Sequence, residues 1–190
     1  MPTPVLHHVV VALVSAVGLI GATSPQASTP SVPAAAVAPA AAVPLAANGN
    51  DTTRFEKQVL SLVNKARASK RKCGSKSYAK AKPLKWNTKL ALAAERHSSD
   101  MANRNYFSHT NKKGQSPGTR IKATGYRYKA AGETLAAGYS TPEQVVKAWL
   151  KSAQHCKILM NKSYTQLGVG FHSGNGKYMF YTTANFAKPK

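Results

Sequence analysis

The sequence predicts an α+β domain with an antiparallel sheet, because helical patterns come first and a strand hairpin comes last. Apolar residues in the earlier part of residues 51–190 recur at helical spacing, and those near the C-terminus alternate with polar ones. Helices followed by paired strands are typical of the α+β class. A segment of this length can bury one hydrophobic core, and its composition indicates no second domain.

Three helices are predicted, each from its own local pattern. The first covers residues 53–68, the second begins at Asn87 as N-cap, and the third begins at Thr141. Pro142 and Glu143 suit the first turn of that third helix, where Pro leaves no N–H unpaired and Glu faces the positive dipole end. The apolar faces consist of Phe55, Val59, Leu62, Val63 and Ala66 in the first helix, Leu90, Ala94, His97 and Met101 in the second, and Val145, Val146 and Trp149 in the third.

The hairpin is predicted from two alternating segments around a turn. Residues 167–172 and 177–183 read LGVGFH and KYMFYTT, and residues 173–176 between them contain Asn-Gly. Asn-Gly between alternating segments is a strong hairpin signal.

The first 50 residues differ from the rest, since they contain no Asp, Glu, Lys or Arg. Residues 9–22 form an apolar run that suits a secretory signal and is shorter than the ~20 residues of a membrane span. We therefore expect a signal peptide at residues 1–27 and a disordered Ala/Pro-rich linker at residues 28–50. The prediction is a secreted, extracellular protein without a transmembrane span, and cell-wall association through the linker stays open.

The charge is strongly one-sided, with 27 Lys and Arg against 6 Asp and Glu and a net charge of +21. The runs Lys65-Ala66-Arg67, Lys70-Arg71-Lys72 and Lys76 to Lys85 concentrate cations in one segment. Residues 68–82 fit either a solvated loop or a contact with a polyanion. The candidate partners are anionic extracellular or cell-wall polymers and anionic lipid surfaces. Because no nucleic-acid-binding fold signature is present, sequence-specific nucleic-acid binding is not predicted.

Two cysteines, Cys73 and Cys156, are predicted to form a disulfide, since an even pair in an exported chain is usually oxidised. In the chain-entropy model, the loop that this bridge closes would add on the order of 3–5 kcal/mol to the free energy of unfolding. Free thiols are the alternative, and neither cysteine has the spacing of a metal ligand pair.

The order of motifs in residues 54–186 resembles the CAP superfamily, also called SCP-like, and its secreted bacterial branch in particular. That superfamily contains cysteine-rich secretory, antigen 5 and pathogenesis-related proteins. The resemblance implies a three-layer α–β–α sandwich. The motifs are LVNKAR, LKWNTKLALAAERHSSDMANRNYFSHT, the pair Gly132-Glu133, TPEQVVKAWLKSAQHC and LGVGF.

The resemblance also implies a cleft with two His and two acidic residues. The matching positions are His109 of YFSHT, Glu133 and His155 of SAQHC, but Ser152 stands where the family has its second Glu. His109 and His155 are candidate ligands of Zn²⁺ or another divalent metal, with Glu133 and Ser152 as supporting groups. The alternatives are a helix cap for His109, a hydrogen bond near the disulfide for His155, and a salt bridge to Lys or Arg for Glu133.

Other candidate residues have structural interpretations. His97 is expected to be a core histidine with its hydrogen bonds satisfied, and His172 to lie at the exposed end of the hairpin. Arg120 is expected to anchor a loop, and Glu143 to complement a helix dipole. Trp86 and Trp149 are expected in the core.

Two functions follow from this sequence. The first is a secreted binding module with a cleft for a divalent metal and a basic surface for anionic polymers. The alternative is a metal-assisted hydrolase or protease that uses His109, His155 and Glu133 as catalytic groups. Binding is favoured, because the second acid of the family pattern is missing and no nucleophile elbow is present.

Overall fold

The computed structural model describes residues 49–190, with side chains from residue 53 onward. The predicted signal peptide lies outside the described residues, as does the predicted linker up to residue 48. The helices are α1 (Gly49–Arg67), α2 (Thr88–Asn103), α3 (Pro117–Ala123), α4 (Pro142–Lys151) and α5 (Ala153–Leu159). The strands are β1 (Arg71–Cys73), β2 (Lys76–Tyr78), β3 (Lys85–Trp86), β4 (Tyr128–Ala137), β5 (Gln166–Ser173) and β6 (Phe180–Pro189).

The predicted starts of α2 and α4 are confirmed. The Asn87 side chain accepts hydrogen bonds from two backbone N–H groups of α2. Thr141 caps α4 through the N–H of Gln144, Pro142 occupies the first turn, and Glu143 is the acidic residue there. Helix α1 begins at Gly49, so it takes in the last two residues of the predicted linker.

The main sheet has the strand order β3-β5-β6-β4. The three long strands pair antiparallel, and the two-residue strand β3 adds to β5 in parallel. Strands β5 and β6 form the predicted hairpin, with a longer turn and a later start of the second strand than the sequence indicated. A separate hairpin, β1–β2, lies within the basic segment, residues 68–82.

Helices cover both faces of the sheet, so the predicted three-layer α–β–α architecture is confirmed. Helices α1 and α4 pack with Leu167, Val169 and Phe171 of β5 in the larger core. Helix α2 lies on the other face, directly on the backbone of β5. A Cβ atom at Gly168 would lie 2.0 Å from the backbone nitrogen of Ala91, so this close approach requires glycine.

A disulfide joins Cys73 of β1 to Cys156 of α5, which confirms the predicted pair. Both cysteines are buried and pack against Met160. The bridge ties the β1–β2 hairpin, whose strands are only three residues each, to the helical layer.

Arg67 does not belong to the predicted basic surface, although it lies in the cationic run Lys65-Ala66-Arg67. Its side chain is fully buried. Its guanidinium donates hydrogen bonds to four backbone carbonyls, and burial lowers its pKa. Arg67 lies four residues after the buried Val63, so it continues the apolar face of α1 into the core. The four acceptors are the carbonyl oxygens of Lys82 at 2.9 Å, Leu159 at 2.5 Å, Asn161 at 3.1 Å and Tyr164 at 3.2 Å.

The two tryptophans differ in burial. Trp149 is buried in the larger core and donates its indole N–H to the carbonyl of Leu135 at 2.8 Å. Trp86 is only partly buried, and the ammonium of Lys57 lies 3.9 Å from its ring centroid. No helix within residues 49–190 combines the length and the apolar composition that crossing a bilayer requires.

Candidate functional site

Three of the residues singled out from the sequence are placed around the edge strand β4. His109 lies in the loop between α2 and α3, Glu133 lies on β4, and His155 lies on α5. We call these three residues, together with Arg120 of α3, the histidine site.

Arg120 organises the loop that carries His109. It is buried, and one guanidinium nitrogen donates to the carbonyls of His109 and Gln115, both at 2.8 Å. The second terminal nitrogen donates to Glu133 Oε2 at 2.7 Å. The short helix that carries Arg120 begins at the N-cap Ser116, with Pro117 in its first turn. Arg120 therefore does more than the predicted loop anchoring, since it also binds the carboxylate of the site.

Glu133 lies between a guanidinium and an imidazole. Its side chain is only 1% exposed, and Oε1 lies 2.8 Å from His109 Nδ1. With Arg120 on the other oxygen, both carboxylate oxygens have a partner. When the ring of His109 donates from Nδ1, the lone pair of Nε2 is left for another group. The side chain of His109 is 52% exposed, so this nitrogen belongs to an accessible ring.

His155 completes the histidine site from α5. Its pKa is lowered, first by burial and then by interaction with His109. A lowered pKa keeps the imidazole of His155 neutral, which is the form that binds metals.

Ser152 acts on the backbone of α5. It is the residue at which α4 ends and α5 begins, and its hydroxyl accepts from the N–H of His155 at 3.4 Å. Helix capping therefore accounts for a hydroxyl at this position.

His97 of α2 contacts the loop that carries His109. It is buried on α2, as predicted, and its Nε2 lies 2.9 Å from the carbonyl of Ser108, next to His109. Within the described part of the chain its Nδ1 has no hydrogen-bond partner, so only one of its nitrogens is satisfied. Burial and the nearby charge of Arg120 lower its pKa.

The donor set of the histidine site limits what it can hold. Among residues 53–190, no three His, Cys, Asp or Glu side chains are arranged as a metal-binding group. Glu133 is already engaged through both oxygens, so the protein offers two imidazoles. Structural zinc sites use four protein ligands and catalytic ones three. The residues therefore do not fit a closed zinc site, and the imidazoles of His109 and His155 are the candidate ligands that remain.

A second titratable cluster, which sequence reasoning missed, lies under α1. Glu56 is buried and accepts the N–H of Phe171 at 3.2 Å, beside Glu95 of α2. Glu95 in turn lies 3.4 Å from the ring of His172. His172 is thus paired and half-buried, which corrects its predicted place at an exposed hairpin end. Burial, followed by the charge of Glu95, raises the pKa of Glu56 to about 7.

Replacing Glu56 with Gln should stabilise the protein at pH 8 by roughly 1–3 kcal/mol. Between the ordinary pKa of 4.5 and the raised value of about 7, the folded state keeps a proton that the unfolded chain has lost. Wild-type stability should therefore fall as pH rises through this window, and Glu56→Gln should reduce that slope. Lys57, Glu95 and His172 are the other charged groups near Glu56, and the variant leaves them in place.

Urea unfolding at pH 5, 6, 7 and 8 measures this effect. Glu143→Gln is the matched control, because it removes an exposed acid at the start of α4, which should cost at most about 1 kcal/mol and leave the pH slope unchanged. Equal pH slopes for wild type and Glu56→Gln would show that Glu56 ionises normally in the folded protein.

The comparisons with known proteins agree with this architecture. The family model for the cysteine-rich secretory protein family, CAP, matches residues 60–186. Two Bacillus subtilis relatives are each 38% identical, the uncharacterized protein YkwD over 122 residues and the uncharacterized membrane protein YlbC over 136 residues. The matched parts cover 64% and 72% of this chain but only 44% and 35% of those relatives.

Solved structures give the same result. The chain is similar to an extracellular protein from Bacillus anthracis that contains an SCP domain, with 30% identity and a TM-score of 0.60 over 73% of this chain and 41% of that one. An outer surface protein from Borrelia burgdorferi has the same fold, with a TM-score of 0.61, 22% identity and coverage of 74% of this chain and 96% of that one. The chain belongs to the CAP family and carries a CAP domain of the bacterial type.

Proposed function

We propose that this protein is an exported binding module of the CAP family, with the histidine site as a weak divalent-metal site and a basic surface that binds anionic extracellular polymers. The basic surface consists of the exposed or half-buried cations Lys65, Lys70, Arg71, Lys72, Lys76, Lys80, Lys82 and Lys85.

The arrangement Arg120–Glu133–His109 carries the proposal for the histidine site. Arg120 holds the carboxylate, and the carboxylate in turn fixes the imidazole of His109 through Nδ1. A carboxylate that orients a histidine in this way is the usual partner of a metal-binding imidazole. His155, kept neutral by its lowered pKa, is the candidate for the second ligand. A bound divalent metal such as Zn²⁺ would supply an open, positively charged coordination site for a ligand oxygen.

Hydrolysis with Glu133 or Ser152 as the acting group is poorly supported. A general base must have a free oxygen or nitrogen within reach of the substrate proton. Both oxygens of Glu133 are engaged, and Ser152 caps a helix. These contacts suit a site that positions an imidazole rather than one in which Glu133 moves a proton.

Export is supported by two observations. A buried disulfide is typical of proteins that fold in oxidising compartments. The Bacillus anthracis protein, which is 30% identical to this chain, is described as extracellular. In such a location the positive surface meets anionic polymers directly.

Calorimetric titration of the oxidised full-length chain with zinc chloride tests the metal site. We expect one saturable site, lost in both His109→Ala and His155→Ala. Glu133→Gln should weaken the affinity about 10–100-fold, as is typical when the group behind a metal-binding imidazole is changed. The matched control is His172→Ala, which removes an imidazole outside the histidine site and should bind like wild type.

Two results would contradict the metal site. One is the absence of a saturable signal with the wild-type chain. The other is zinc binding that persists in both histidine variants, which would move the metal elsewhere in the protein. Each variant is first checked by circular dichroism, so that lost binding is not confused with lost folding.

A further inference from the structure

A groove of about 580 Å³ lies between α1 and α4, on the opposite side of the sheet from α2. Its cations come from three elements: Lys65 of α1, Arg71 of β1, and Lys147 and Lys151 of α4. Its apolar floor consists of Leu62, Val146 and Leu150. We call it the α1–α4 groove.

The described lining of this groove has an excess of positive charge, with four cations and one acid. None of its four cations forms a salt bridge within the part of the chain that the structure describes. The one acidic residue lining the groove, Glu143, accepts a hydrogen bond from Gln58 of α1. Like charges gathered around one concave surface repel each other, and an anionic ligand would relieve that repulsion.

Helix chemistry explains three of the four cations. Lys65 and Lys151 stand in the last turns of α1 and α4, where a cation complements the negative end of the helix dipole. Lys147 lies four residues after Glu143, the spacing at which a Glu and a Lys stabilise a helix. Arg71 lies on a strand, so it points to a ligand more specifically than the others.

Arg71 is held in place by the fold. It pairs with Tyr78 across the β1–β2 hairpin and lies two residues before Cys73, which the disulfide fixes to α5. The side chain is half-buried, and its Nε is buried with no hydrogen-bond partner among the described residues. A planar guanidinium matches the paired oxygens of a phosphate or carboxylate group.

We propose that the α1–α4 groove binds a phosphodiester polymer of a polyol, with phosphates at the cations and the carbon chain on the apolar floor. This inference rests on the proposed function and names the site and chemical class of its anionic polymer. Several separated cations suit repeated phosphates better than a single anion. No aromatic side chain among residues 53–190 lines the groove, so the described lining offers no stacking platform of the kind on which single-stranded nucleic acids depend. A planar membrane surface fits a concave groove with a half-buried Arg71 poorly.

The test uses a fluorescently labelled glycerol phosphate decamer and the oxidised full-length chain, with binding measured by anisotropy at several salt concentrations. The groove variant is Arg71→Gln/Lys147→Gln. The matched control is Lys122→Gln/Arg127→Gln, which also removes one Lys and one Arg but lies beside another, separate pocket. We expect the groove variant to weaken binding by at least about tenfold and to lower the salt slope by about one to two. The control should change the affinity less than about twofold.

Each alternative result has a defined meaning. Equal losses in the two variants would overturn the groove but leave the basic surface of the proposed function intact. Absence of binding by the wild-type chain would overturn both. Equally tight, groove-dependent binding of a carboxylated polysaccharide, of single-stranded DNA or of anionic vesicles would overturn the assignment to a polyol phosphate. If the groove variant fails to fold, Lys147→Gln/Lys151→Gln replaces it, because both residues are exposed on α4.

Discussion

Replacing Arg67 with Met is expected to lower the free energy of unfolding by about 3–5 kcal/mol, since it removes the guanidinium that donates to four carbonyls near the core. Met keeps most of the side-chain length, so the loss reflects hydrogen bonding more than an empty volume. The acceptors lie in two separate stretches, around Lys82 and between Leu159 and Tyr164. Arg67 thus connects the end of α1 to chain segments far away in sequence.

Two further variants separate this explanation from a general effect of charge. Lys65→Met removes an exposed cation from the same helix turn and should change stability by less than about 0.5 kcal/mol. Arg67→Lys keeps the charge but not the planar set of donors, so its loss should be intermediate. Urea unfolding of the three variants measures the series. A loss below about 1 kcal/mol for Arg67→Met would mean that water satisfies the carbonyls without the guanidinium.

The helix starts could be predicted because their signals are local. Asn87 accepts from N–H groups within its own helix, and Thr141-Pro142-Glu143 forms a start signal within three residues. The buried position of Arg67 could also have been inferred, since the period of α1 places it on the face of Val63. The run Lys65-Ala66-Arg67 is cationic, but the helical spacing of Arg67 indicates burial.

Strand β4 shows where local signals end. Its sequence, YKAAGETLAA, is rich in small residues and lacks the alternation that marks β5. Its strand structure depends on pairing with β6 along almost its whole length. Strand β4 carries Glu133, so only the family resemblance could single out that carboxylate. Its hydrogen bond to Arg120 depends on tertiary packing that no short segment encodes. The cluster of Glu56, Glu95 and His172 likewise unites residues from α1, α2 and β5.

Removing the disulfide by Cys73→Ser/Cys156→Ser is expected to cost about 4–5 kcal/mol, because the cysteines are 83 residues apart in sequence. The bridge restricts the unfolded chain, and a longer closed loop loses more freedom. The urea midpoint of the oxidised chain, compared with the double variant and with wild type under reducing agent, measures this contribution. Ser152→Ala is the control for a substitution near Cys156 that leaves the disulfide in place. It should lower the free energy of unfolding by about 1 kcal/mol, because α5 loses its N-cap. Similar midpoints for the oxidised chain and the double variant would show that the closed loop adds no stability.

Because the protein is strongly positive, the stabilisation by the disulfide should also depend on salt concentration. In the unfolded state the disulfide holds the many cations of the closed loop closer together, so self-repulsion raises the free energy of the crosslinked unfolded chain. Salt screens this repulsion, because the Debye length falls from about 30 Å at 0.01 M to about 3 Å at 1 M. The stabilisation by the disulfide should therefore be greatest at low ionic strength and decrease as salt is added. A contribution that does not change with salt would mean that loop entropy alone accounts for the bridge and that the charge plays no part.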